Sequence, residues 1–192
     1  MQLQGKLGKP MSKNTKITLA IVSCVMLVIC CCTLAGLTLL AKQSIATDPK
    51  EAASVASQIS DFEVPAGYRI RNTISVLMTT SAFIADQHGQ NAIWLAQVNL
   101  GDGVPPDRYL RQSVSAGRYK DVTWEVTETK PITIRGEATT LTVYSGTDSN
   151  KQKYHAWAAG FNGKGGRAVL VIVEPEEDWD EDAMQAFVAS MH

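Results

Sequence analysis

Residues Arg167-Ala168-Val169-Leu170-Val171-Ile172-Val173 read as a strand that is apolar on both faces. A strand with one side in water alternates apolar and polar residues, so this run belongs in the middle of a sheet, covered above and below. Working outward, Lys153–Phe161 and Ala138–Tyr144 are further strand candidates. Upstream of them, Val122, Trp124 and Val126 alternate with Thr123, Glu125 and Thr127, the period of a strand with one wet face. Pro131 is expected to interrupt that segment before Ile132-Thr133-Ile134, and Gly136 to turn the chain. Downstream, Ala183, Met184, Phe187, Val188 and Met191 fall at helical spacing, predicting a closing helix that begins near Asp180 to Asp182.

The earlier half is punctuated in the same way. Thr73–Asp86 and Ala92–Asn99 are rich in β-branched and apolar residues, and Gln87-His88-Gly89-Gln90 between them has turn chemistry. They predict a hairpin. Asp102, Gly103, Pro105 and Pro106 then break the pattern, and Asp107–Val114 reads as a short helix ending at Gly117. Nearer the start, Asp48 can cap a helix with Pro49 at its first position and Glu51 placed to answer the cap. Ala52, Val55, Ala56 and Ile59 share one face of that helix, which should run to about Ser60. Short loops imply antiparallel pairing, and the helices fall at the start, middle and end instead of after every strand. The fold class expected is α+β, one antiparallel sheet with helices packed on it.

Ahead of this domain lies ITLAIVSCVMLVICCCTLAGLTLLA, the 25 residues from Ile17 to Ala41, without one charge. At about 1.5 Å per residue it reaches roughly 37 Å, enough to cross a hydrocarbon core of about 30 Å. Lys16 and Lys42 bracket it, and residues 1–42 carry five Lys and no acid. The four Lys before the apolar run predict a basic cytoplasmic tail over 1–16, a transmembrane helix over 17–41 and an external remainder. In that reading 42–60 is a spacer with a short helix, and 61–192 is an extracytoplasmic domain of a single-pass cell-membrane protein. Two processing alternatives stand beside the uncleaved anchor: a small-x-small cleavage site at Ser44-Ile45-Ala46, and a lipobox-like Ile21-Val22-Ser23-Cys24. Met11 is an alternative start to Met1.

All four Cys, at positions 24, 30, 31 and 32, lie in the apolar run. The external domain therefore has no disulfide and no Cys-ligated metal, and its core alone must hold it together. Cys32 and Gly36 form a small-xxx-small pair of the kind that seats a second helix. The remainder after residue 42 carries 13 basic and 19 acidic side chains, the wrong sign for a nucleic-acid partner.

The lead-in Phe62-Glu63-Val64-Pro65-Ala66-Gly67-Tyr68 precedes the hairpin, the middle helix, three antiparallel strands and the closing helix with Phe187-Val188-Ala189-Ser190-Met191. That order resembles the PsbP-like fold, which includes small bacterial lipoproteins and membrane-anchored domains of the DcrB type. It is also similar to bacterial single-pass proteins whose domain opens with a Pro-x-Gly-aromatic segment. The resemblance covers roughly residues 60–191. It implies an α+β domain that binds or assembles with partners, and it transfers no catalytic residue set.

Three features invite a chemical reading. Gly160-Phe161-Asn162-Gly163-Lys164-Gly165-Gly166-Arg167 sets glycines beside two cations, as a phosphate cradle would. Yet Lys164 precedes Gly and a strand, where a phosphate loop needs Ser or Thr and a helix, so a hairpin turn is expected. Glu174 to Asp182 holds seven acids in nine residues. Glu176, Glu177, Asp178, Asp180 and Asp182 are the candidate cation ligands, but they lack EF-hand spacing, and acids before a helix are explained by capping and the dipole. Of the His residues, His88 falls in a turn, His192 is the last residue, and His155 lies on a strand face with Trp157 and Phe161. His155 or a carboxylate is the base that an envelope hydrolase would use; the alternative is a packed strand residue. No motif implies a cofactor. The function expected is a membrane-anchored binding or accessory domain with the membrane and an envelope protein as partners, the alternatives being that hydrolase or a cation or small-ligand sensor.

Overall fold

Every residue of the central strand from Ala168 to Pro175 is buried, as a run apolar on both faces requires. In the computed structural model the described residues are 45–99, 105–115 and 117–192. The apolar run from Ile17 to Ala41 lies outside them, and among the described residues no helix is long and apolar enough to cross a membrane. The elements are β1 (Ile45–Ala46), α1 (Pro49–Ala56), β2 (Tyr68–Val76), β3 (Thr79–Asp86), β4 (Ala92–Val98), α2 (Pro106–Val114), β5 (Thr123–Ile134), β6 (Glu137–Thr147), β7 (Lys153–Asn162), β8 (Arg167–Pro175) and α3 (Glu181–Ala189).

The eight strands form one sheet in the order β1-β2-β3-β4-β8-β7-β6-β5, antiparallel at every pairing. It is an α+β fold made of two consecutive meanders, β1–β4 and β5–β8, joined where β4 meets β8. Alternation along the central strands sorts the core into two layers. Ile84, Leu95, Leu170 and Ile172 face Ile59, just past α1, and Met184 and Phe187 of α3. Val169, Val171, Ala158 and Tyr154 face Leu110 and Val114 of α2. Helices therefore cover both sides of the sheet, which explains why β8 is apolar all round.

Local chemistry accounts for the ends of the elements. Asp48 accepts the amides of Lys50 at 3.0 Å and Glu51 at 3.3 Å, capping α1 as its sequence implied. The helix stops at Ala56, short of Ser60, because Gln58 and Ile59 donate three residues back to Val55 and Ala56 and tighten the last turn. Ile45 and Ala46 pair with Ile74 and Thr73, adding a two-residue strand. The turn Arg135-Gly136 has φ of +55° and +76°, the backbone of a two-residue hairpin between β5 and β6.

Two further expectations are corrected. The stretch read as one strand from Thr73 to Asp86 is two strands, because the chain reverses at Leu77-Met78, with Val76 opposite Thr79. Neither residue is a turn former, so the punctuation that marks a hairpin is missing. Pro131 does not interrupt its strand: β5 runs through it, opposite Thr140. β5 is the last strand of the sheet, where a residue without an amide hydrogen can leave its nitrogen on the unpaired side.

Candidate functional site

Glu174 continues the alternation of Leu170 and Ile172 on the α3 side of β8, and is 1% exposed. Its Oε1 accepts the Tyr68 hydroxyl, while Oε2 is buried without a hydrogen-bond partner. Loss of hydration pushes its carboxyl up to about 7; the Tyr68 hydrogen bond works against this, and the nearby charges of Asp178 and Asp180 add to it. Tyr68 is raised as well, by burial and by its hydrogen bond to the carboxylate. A group that exchanges its proton near neutrality thus sits at the end of the central strand.

His155 stands directly opposite Glu174 on β7. Its ring lies on Trp179, centroids 5.3 Å apart and planes at 32°, and its Nε2 is 4.0 Å from Glu176 Oε1. Trp179 meets Trp157 edge to face at 5.2 Å, and Lys130 Nζ lies 5.2 Å from a Trp157 ring centroid. Lys130 also pairs with Glu181 at 3.0 Å, across from β5 to the first turn of α3. The result is a row of rings, His155, Trp179 and Trp157, closed by a cation.

Beyond Lys130 the row opens into a groove of about 400 Å³ between the β5–β6 edge and α3. Pro131, Ile132, Leu141, Trp157 and Val188 give it apolar walls, with Gln185 and Lys130 as polar points. A second hollow of about 230 Å³ lies between the Glu63–Ala66 lead-in and Ala183, Ala186 and Phe187 of α3. Phe62 holds that lead-in by an edge contact with Phe187 at 5.6 Å. Glu174 lines neither cavity.

The acidic run is dispersed. Glu174 faces Tyr68, Glu176 pairs with Lys153 at 3.3 Å, Asp180 caps α3 by accepting the Ala183 amide at 3.0 Å, and Glu181 takes Lys130. Glu177, Asp178 and Asp182 are exposed, and no three His, Cys, Asp or Glu among the described residues converge as ligands would. The glycine-rich segment is the turn between β7 and β8. Its cations are engaged, Lys164 with Asp61 at 2.5 Å and Arg167 with Asn162 Oδ1 at 2.8 Å. Its glycines fold onto buried Gln97, whose Oε1 accepts the Gly165 amide at 2.9 Å. His88 lies in the β3–β4 turn, and His192 exchanges two backbone hydrogen bonds with Asp61.

Sequence reasoning placed His155 on the right face with Trp157 but counted Glu174 only as one acid of a solvated run. The signal was present, since Glu174 keeps the alternation of a strand already read as central. The neighbourhood of Trp157 and Lys130 brings together β5, β7 and α3, and no spacing within one segment reports it.

No protein family and no curated protein matches the chain by sequence. Among solved structures, it is similar to the cyanobacterial PsbP protein CyanoP from Synechocystis, at 12% identity over 70% of this chain and 92% of that one, with a TM-score of 0.44. It is also similar to LpqN of Mycobacterium tuberculosis, described as involved in cell envelope biogenesis, at 12% identity over 69% and 81% with a TM-score of 0.37. CyanoP is of the PsbP kind that the order of elements resembles.

Proposed function

We propose that this chain is a single-pass membrane protein whose external α+β domain binds a protein of the cell envelope in the groove between β5 and α3. The observation that carries the reading is the groove itself. An indole forms part of its wall, aliphatic side chains line the rest, and one cation stands at its mouth, the composition of a recognition pocket. The anchor is Ile17–Ala41, and the Lys before it favour a cytoplasmic tail over 1–16. Thr133 and Gln185 are exposed at the groove, so Thr133→Arg with Gln185→Arg fills it without touching the core. Full-length protein taken from native membranes in mild detergent should retain a near-stoichiometric partner, and the double variant should lose it by about tenfold or more at unchanged thermal stability. Equal retention by both proteins would refute the groove as the binding site.

Glu174, opposite His155 in the register of β7 and β8, supports a second reading, an acid–base role, because a buried carboxyl held near neutrality is characteristic of reacting centres. Its test is a hydrolytic activity that Glu174→Gln and His155→Ala each abolish while the fold is kept.

A further inference from the structure

The β2–β3 hairpin ends in Val76-Leu77-Met78, and all three are exposed. Leu77 is 99% exposed and has a φ of +52°, a conformation that favours Gly or Asn. Ile74 on β2 and Ile45 beside it on β1 are exposed as well, so the tip and its flank form one apolar patch. Solvent gives such a patch no reason to exist.

Strand direction says what covers it. Ile45 pairs with Ile74 and Ala46 with Thr73, so β1 runs away from the tip and the chain enters β1 from the tip's end of the sheet. The uncharged run closes at Ala41, four residues before Ile45, a stretch that spans at most about 14 Å when fully extended. Lys42 lies in that stretch, where a cation meets lipid headgroups. The other end carries both signs of charge, Asp86, Asp148, Glu176 and Glu177 with Lys120, Lys151 and Lys153. At the tip's end the cations Arg135, Lys164 and Arg167 stand with Asp61 and Glu137.

From these observations we infer that the Val76-Leu77-Met78 tip inserts into the headgroup and upper acyl layer of the bilayer that holds the anchor. The tip is a second membrane contact, and it turns the opposite end of the sheet, with the β3–β4 and β6–β7 turns, outward. The inference rests on the proposed anchor and adds an orientation to it.

The test uses the full-length chain reconstituted in phosphatidylcholine–phosphatidylglycerol vesicles, with and without lipid brominated along the upper acyl chain. Leu77→Trp adds an indole at the tip, and Met78→Trp repeats the measurement one residue on. Val126→Trp, on exposed β5 near the opposite end, is the control. After subtraction of the wild-type emission, tip indoles should emit to the blue and be quenched about twofold or more by bromolipid, and the control should not. Tip emission as red and unquenched as the control's would overturn the proposal. So would blue emission that bromine leaves unchanged, which would mean that protein covers the patch. A chain that fails to float with vesicles after an alkaline wash would refute the anchor, and the tip contact with it; a floating chain with an unquenched tip refutes the tip contact alone.

Discussion

Glu174 makes the stability of this domain depend on pH in an unusual direction. Its carboxyl titrates about 7 in the folded chain against 4.5 when unfolded, so folding takes up a proton between those values. Stability must then fall as pH rises through that window, by on the order of 3 kcal/mol in total, and stay level above it. Asp61 and Glu181 are held low by Lys164 and Lys130, so their contributions are present at neutral pH and are lost on acidification. Urea unfolding measured from pH 4 to 9 should therefore show greatest stability near pH 5, roughly where the two opposed effects cross. Glu174→Gln should flatten the neutral limb. Tyr68→Phe removes the side-chain hydrogen bond that favours the charged form, and should carry the decline above pH 7. A different residue-scale test concerns the glycine-rich turn. A Cβ on Gly165 would lie 2.6 Å from Gln97 Nε2, so Gly165→Ala must displace a buried amide and should cost about 1–3 kcal/mol by the same measurement.

At the scale of the element, the hairpin turn at Leu77 keeps an apolar side chain in a conformation that Asn adopts more easily. Leu77→Asn should stabilise the isolated fold by about 1 kcal/mol, seen as a higher denaturation midpoint in lipid-free detergent solution. The same turn shows why the sequence misled at this point. Turn residues mark the β3–β4 connection at Gln87-His88-Gly89-Gln90, but Leu77-Met78 carries no such mark and reads as the middle of a strand. What makes it a turn is pairing: Val76 meets Thr79 on one side, and the Asn99 amide donates to the Met78 carbonyl at 2.8 Å. Pro131 misled for a related reason, since a proline forbids a central strand but not an outer one, and which strand is outermost is decided by the whole sheet. Where the information was local, as in the Asp48 and Asp180 caps, the elements begin where the residues say. Trp124 is a further consequence of pairing. It faces Gly146 across β5 and β6, where a Cβ would sit 2.7 Å from its ring, so Gly146→Ala should lower the melting temperature by several degrees.

For the molecule as a whole, one antiparallel sheet with helices on it was legible because β8 is apolar on both sides and the loops are short. The groove was not legible, because its walls come from β5, β6, β7 and α3 and depend on strand order. That order has a consequence for the way the chain reaches its final form. Each meander is built from neighbours in sequence, and the seam between β4 and β8 is where they meet. Its partners, from Val98 with Arg167 to Ala92 with Val173, are about 70 to 80 residues apart in sequence, so closing the seam carries the largest loop-entropy cost of the sheet. The two halves can zip up early, while their mutual docking sets the pace. Until then, the bare flanks of β4 and β8 are the surfaces on which a half-made chain would pair with a neighbour's, which makes the interval before docking the time of greatest risk of aggregation.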